Sequence, residues 1–131
     1  MRTVKIYHPP ERAAPLETFI SSLESKLRRK LRRQFFLLAN TPLCELKEPH
    51  YKHFVLEKYS RFYELREKGK KILVRVIFTV SGEDILLLVP FIKRQPRDTM
   101  RALEASIRML AEIREHPDYA VNITFIKEDI A

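Results

Sequence analysis

The sequence predicts an α+β fold: a small, mainly antiparallel, twisted sheet with an N-terminal helical hairpin on one face and a C-terminal helix. Three observations carry this. The chain has only two glycines, Gly69 and Gly82, and each falls between apolar, β-branched runs, the local signature of a hairpin turn. Leu16, Phe19, Ile20, Leu23, Leu27, Leu31, Phe35 and Leu38 recur at three- and four-residue steps, an amphipathic helical pattern. After Pro96, Leu103, Ile107, Leu110 and Ile113 repeat that pattern until Pro117 ends it.

The elements follow in order. Residues 3–7 alternate as a short strand with Val4 and Ile6 on one face, stopped by His8-Pro9-Pro10, since proline cannot donate to a ladder. Pro15 suits a first helical turn. Ser21-Ser22 is the weak point at which the long amphipathic stretch divides into two helices, and Asn40-Thr41-Pro42 stops it. Residues 41–61, with Pro42, Pro49 and scattered histidines and lysines, read as a surface loop. A three-strand meander follows, over 62–67, 72–80 and 84–93. Its second and third strands are nearly continuous apolar runs, as in strands covered on both faces or lining a cleft. Asp98 can cap the last helix. Residues 120–126 alternate as one more strand. We divide the chain into one domain over 1–117 and a tail over 118–131.

The 131 residues suffice for a single apolar core. A net charge of +8 favours polyanionic partners: nucleic acid, an anionic membrane surface or an acidic protein. The basic residues Lys26, Arg28, Arg29, Lys30, Arg32 and Arg33 line the polar side of the N-terminal helical stretch, either as a solvated face or as a docking surface. A lone cysteine, Cys44, fits a reducing compartment. Residues 1–7 lack a signal-peptide core, and no run approaches the roughly 20 apolar residues that span a bilayer. A cytoplasmic location is expected.

Chemical motifs are few. Two glycines are too few for a phosphate-binding loop. His50 and His53 are unaccompanied by any further metal-ligand pattern, so neither a metal nor another cofactor is expected. What remains is a set of cations in the meander: Arg66, Arg75, Lys93 and Arg94. Arg75 sits in mid-strand between valines, where a guanidinium must either be paired, with Glu64 as a candidate, or face a cleft that receives an anion. Such a cluster is suited to metal-free RNA cleavage. The ribose 2′-OH serves as nucleophile, and the protein positions the phosphate, offsets transition-state charge and moves protons. Arginine forks grip phosphate oxygens bidentately. Tyr51, Tyr63 and Phe91 are candidates for stacking on bases.

At these residues the chain resembles the RelE/HigB toxin superfamily, most closely the phage-derived HigB-like branch. The likeness lies in Tyr63-Glu64-Leu65-Arg66, in Arg75-Val76-Ile77-Phe78, and in the apolar strand ending Phe91-Ile92-Lys93-Arg94 before a helix. Pro49-His50-Tyr51-Lys52-His53 resembles the segment that precedes the first of these motifs. The likeness extends over residues 3–115 and implies a RelE-like fold. It also implies a ribosome-dependent, metal-independent mRNA endonuclease, the toxin of a type II toxin–antitoxin pair. Its partners would be the ribosome, mRNA and a HigA-like helix-turn-helix antitoxin. On the matching positions, Arg66 binds the scissile phosphate, Arg75 supports it, and Lys93 holds the cationic position at the strand end. Lys52, His53, Tyr63 and Arg94 contact RNA.

Where many members carry a tyrosine or histidine after the last core strand, this chain has Gln95-Pro96-Arg97. Proton transfer then falls to Lys93, His53 or Tyr63. The alternative function is an inactive relative that binds RNA, the ribosome or an acidic protein without cutting.

Overall fold

The structure is a computed structural model and describes residues 2–125. Six strands form one sheet: β1 (Thr3–Tyr7), β2 (Tyr51–His53), β3 (Phe62–Gly69), β4 (Ile72–Ser81), β5 (Asp84–Ile92) and β6 (Ala120–Asn122). Their order across the sheet is β2-β3-β4-β5-β1-β6. Three α-helices flank it: α1 (Pro15–Ser21), α2 (Ser25–Asn40) and α3 (Pro96–Glu115).

The expected fold class needs correction. The sheet is neither small nor simply antiparallel but six-stranded and mixed, because β1 enters parallel to β5, with Val4 opposite Ile85 and Ile6 opposite Leu87. The RelE-like sheet with an N-terminal helical hairpin is not what the chain forms. The two N-terminal helices exist but pack on the sheet, α1 against β1 and β5, α2 against β1 and β3. The reason is chemical. Leu16 and Ile20 of α1 and Leu27, Leu31, Phe35 and Leu38 of α2 form a continuation of one apolar stripe. All of them enter the same core. A stripe that is buried against a sheet has no second apolar face left for a partner helix.

The sheet separates two cores. On one side α1 and α2 cover Val4, Ile6, Leu65, Val74, Val76, Phe78, Ile85 and Leu87. On the other, Ala102, Leu103, Leu110 and Ile113 of α3 cover Tyr7, Phe62, Ile77, Leu86 and Leu88. Burial on both faces explains the apolar runs of β4 and β5. α3 starts behind Gln95, where the Asp98 carboxylate accepts the backbone N–H groups of Arg94 and Gln95 at 2.9 Å each. Those hydrogen bonds hold the Asp98 carboxyl below its ordinary pKa.

The two glycines serve different ends. Gly82 opens the β4–β5 turn with φ +61°. Gly69 is not the turn residue: it pairs with Ile72, and Lys70-Lys71 make the turn, with Lys71 at φ 59°. A Cβ on Gly69 would stand 2.9 Å from Ile72 Cγ2 and 3.0 Å from Leu27 Cδ2, so the lack of a side chain lets α2 approach the sheet. Part of the expected loop is strand β2, which extends the meander by pairing with β3. The expected last strand is β6 over Ala120–Asn122, paired with β1, and its Ile126 lies outside the described residues.

Candidate functional site

Strand alternation decides which side chains meet. Arg66 and Arg75 are directly opposite across the β3–β4 ladder and so share a face, as do Glu64 and its β2 partner Lys52. This is the face covered by α3 farther along the sheet, where Phe62 and Ile77 are buried. Glu64, only 1% exposed, ties the arginines together. Its Oε1 lies 2.9 Å from Arg66 Nε and 3.5 Å from Arg75 Nε. Glu48 adds a second, exposed carboxylate 3.4 Å from Arg66 Nη1. Arg75 also donates through Nη1 to the Val74 carbonyl at 3.2 Å. Burial pushes the Arg75 guanidinium below its ordinary pKa; Glu64 opposes this, and Arg66 adds to it.

Lys93 reaches the same face through an irregularity. Between Val76 and Phe78 the β4–β5 register slips, so Ile77 faces both Leu88 and Val89 of β5. Before this bulge Leu86 and Leu88 point toward α3. After it Phe91, opposite Arg75, takes over that side. The Lys93 backbone N–H then donates to the Leu73 carbonyl at 2.9 Å, which carries Lys93 in register to the arginine face. Without the extra residue, Lys93 would follow Ile85 and Leu87 to the opposite face.

Tyr63 and His53 lie on the other face. They are paired across β2 and β3 and stack at 4.4 Å, and Tyr63 stacks in turn on Phe78 at 5.2 Å. His53 Nε2 is 2.6 Å from the Ser60 carbonyl. The structure therefore brings Arg66, Arg75, Lys93 and Lys52 to one face and leaves His53 and Tyr63 on the reverse. Arg94 is exposed at the start of α3.

The arginines open onto a cleft of about 570 Å³ at the end of the sheet, where β2 stops and β3 continues. Lys30, His50 and Lys68 join them in its walls. Sequence reasoning did not place His50 there. Its position depends on the edge pairing that continues β2, in which Arg66 donates its backbone N–H to the His50 carbonyl at 2.7 Å. Tyr51-Lys52-His53 is only three residues long and largely polar, too short to carry a strand pattern, so the sequence does not reveal that pairing. Lys30 is held in place by the Lys68 carbonyl at 3.0 Å and by Glu67 at 3.7 Å. Among the described residues, no group of three or more His, Cys, Asp or Glu is placed to hold a metal ion.

These features define a small basic mixed-sheet protein whose sheet end carries paired arginines over an open cleft. The chain belongs to the phage-derived Gp49-like protein family (DUF891), whose model matches residues 18–108, a stretch that contains every residue of this cleft. That family is of the RelE/HigB-like toxin type and is associated with toxin–antitoxin toxins. No curated protein and no solved structure matches the chain. No helix among the described residues is long and apolar enough to cross a membrane.

Proposed function

We propose that the protein is the toxin of a type II toxin–antitoxin pair and acts in the cytoplasm as a metal-independent, ribosome-dependent mRNA endonuclease. The observation that carries this is the cross-strand pair Arg66 and Arg75, held by Glu64 at the wall of an open cleft. Two guanidiniums side by side match the oxygens of one phosphodiester, and their charge grows in value as a fifth oxygen approaches phosphorus. In this reading Arg66 and Arg75 grip the scissile phosphate, Lys93 offsets charge at the strand end, and Lys52 contacts the RNA backbone. The ribosome presents the message, and a HigA-like helix-turn-helix antitoxin covers the toxin until it is lost. His53 and Tyr63 would meet RNA only from the reverse face of the sheet.

Induction of the wild-type protein should arrest growth and leave cuts in translated messages alone. Arg66→Ala should relieve the arrest while the protein stays folded. Cuts in untranslated RNA, or arrest that survives Arg66→Ala, would contradict the proposal. A short helix-turn-helix reading frame beside this one would support the pairing with an antitoxin.

One observation favours a second reading. Glu64 already balances one of the two arginine charges from a buried position. A protein using this face only to bind RNA, the ribosome or an acidic partner would keep ribosome affinity and make no cuts.

A further inference from the structure

The proposed cleavage needs a group that removes the proton from the ribose 2′-OH, and guanidiniums serve poorly as bases because they stay protonated. Imidazole is the side chain suited to this near neutrality. The chain has four histidines, all within the described residues. His53 is turned to the reverse face and lies 2.6 Å from the Ser60 carbonyl. His116 stacks on Tyr119 beyond the end of α3. His8 follows β1, with its backbone N–H on the Tyr119 carbonyl. Only His50 lines the cleft that holds Arg66 and Arg75.

We infer that His50 is the general base of the cleavage step, taking the 2′-OH proton of an RNA strand whose phosphate is held by Arg66 and Arg75. The inference rests on the nuclease reading above and assigns it a residue. The backbone supports the role: the Arg66 N–H donates to the His50 carbonyl at 2.7 Å, so the two residues stand opposite each other across the edge pairing, and both line the cleft. The side chain itself is exposed to the cleft, where a ribose can reach it. In the step, the 2′ oxygen forms its bond to phosphorus as its proton passes to the imidazole. The bond from phosphorus to the 5′ oxygen breaks, and that oxygen takes a proton from solvent. The products are a 2′,3′-cyclic phosphate and a 5′-hydroxyl, with no oxidant or cofactor consumed.

The charged groups that line the cleft with His50 are Arg66, Glu67 and Lys68 of β3, Arg75 of β4 and Lys30 of α2, and Glu48 of its own loop lies 3.4 Å from Arg66 Nη1.

The test is cleavage of a defined reporter mRNA in a reconstituted translation reaction, read by primer extension from about pH 5 to pH 8, the range in which an imidazole titrates. Wild-type cutting should rise with pH through that range. His50→Gln should cut about 10²–10⁴-fold more slowly and lose the rise. His50→Ala should regain cutting when imidazole is added. His8→Gln should keep the wild-type profile. His50 is exposed, so its variants should melt at the wild-type temperature. If the wild type cuts and His50→Gln cuts with the same rate and profile, the assignment of the base is overturned and the nuclease reading stands. If the wild type makes no cuts, both fall together.

Discussion

Arg66 stands directly across the β3–β4 ladder from Arg75, and one buried carboxylate, Glu64, binds both. Like charges opposite each other destabilise a sheet. Here that cost is offset by an acid two residues along the same strand, on the same face.

Glu64→Gln should therefore be costly to the fold. Removing one partner from a buried ion pair costs about 3–5 kcal/mol, because the remaining charge is left unbalanced. The arginine side chains keep 22% and 11% of their exposure, so water screens part of the loss and the low end of that range is expected. Urea unfolding at neutral pH measures it. A midpoint equal to that of the wild type would mean that the arginines are balanced by something other than Glu64.

The two glycines should respond to alanine for different reasons. A Cβ on Gly82 meets nothing within 4 Å, so Gly82→Ala carries only the backbone penalty of φ +61°, about 1–2 kcal/mol. A Cβ on Gly69 would crowd Ile72 and Leu27, so Gly69→Ala must shift α2 or the turn, at about 1–3 kcal/mol. Lys71→Gly relieves a left-handed lysine and should raise the melting temperature. Thermal unfolding of the three variants separates these effects. A stabilised Gly69→Ala would show that the close approach of α2 is not needed.

Those glycines also mark how far local pattern could be read. Gly82 and the meander were legible because β3, β4 and β5 are neighbours in sequence and in space. Gly69 was legible as a turn signal but acts one residue earlier, through its contact with Leu27, which no local pattern reveals. The parallel pairing of β1 with β5 joins residues about eighty positions apart and leaves no local trace. The separation of Tyr63 from Arg66 follows from the period of two within Tyr63-Glu64-Leu65-Arg66 itself. The placement of Lys93 does not, because the bulge at Leu88 and Val89 reverses the alternation.

Alkaline pH should weaken the contact between β2 and α2. Burial, with the Glu67 carboxylate close by, pushes the Tyr51 phenol up from its ordinary value near 10 to about 12. Its hydroxyl donates to Gln34 Oε1 at 2.6 Å, and Gln34 in turn donates to Glu67 at 3.2 Å. The folded state keeps a proton that the unfolded chain releases above its ordinary pKa. This contribution to stability is complete below about pH 10 and is lost as pH rises toward about 12. Tyr7 and Tyr59 are also raised, so the test is a difference. Tyr51→Phe should be less stable than wild type at neutral pH, and the gap should narrow between about pH 10 and pH 12. A gap of constant size would place the Tyr51 phenol at its ordinary value.

The bulge makes a sharper claim about the site. It sends Lys93 to the arginine face, whereas Arg94 stands past the strand at the entry to α3, its backbone N–H on Asp98. On the proposed nuclease reading the two neighbours should therefore differ. Lys93→Ala removes a cation that acts on the transition state, and should slow cutting of translated mRNA by about 10²–10³-fold. Arg94→Ala removes only a more distant charge. It should weaken ribosome or RNA binding modestly, more at low salt than at high, with little change in the cutting rate once bound. Both positions are at least partly exposed, so neither variant should unfold, and single-turnover cleavage at saturating ribosome concentration separates rate from binding. Equal losses in the two variants would mean that general positive charge at the end of β5, and not the face chosen by the bulge, is what the reaction uses.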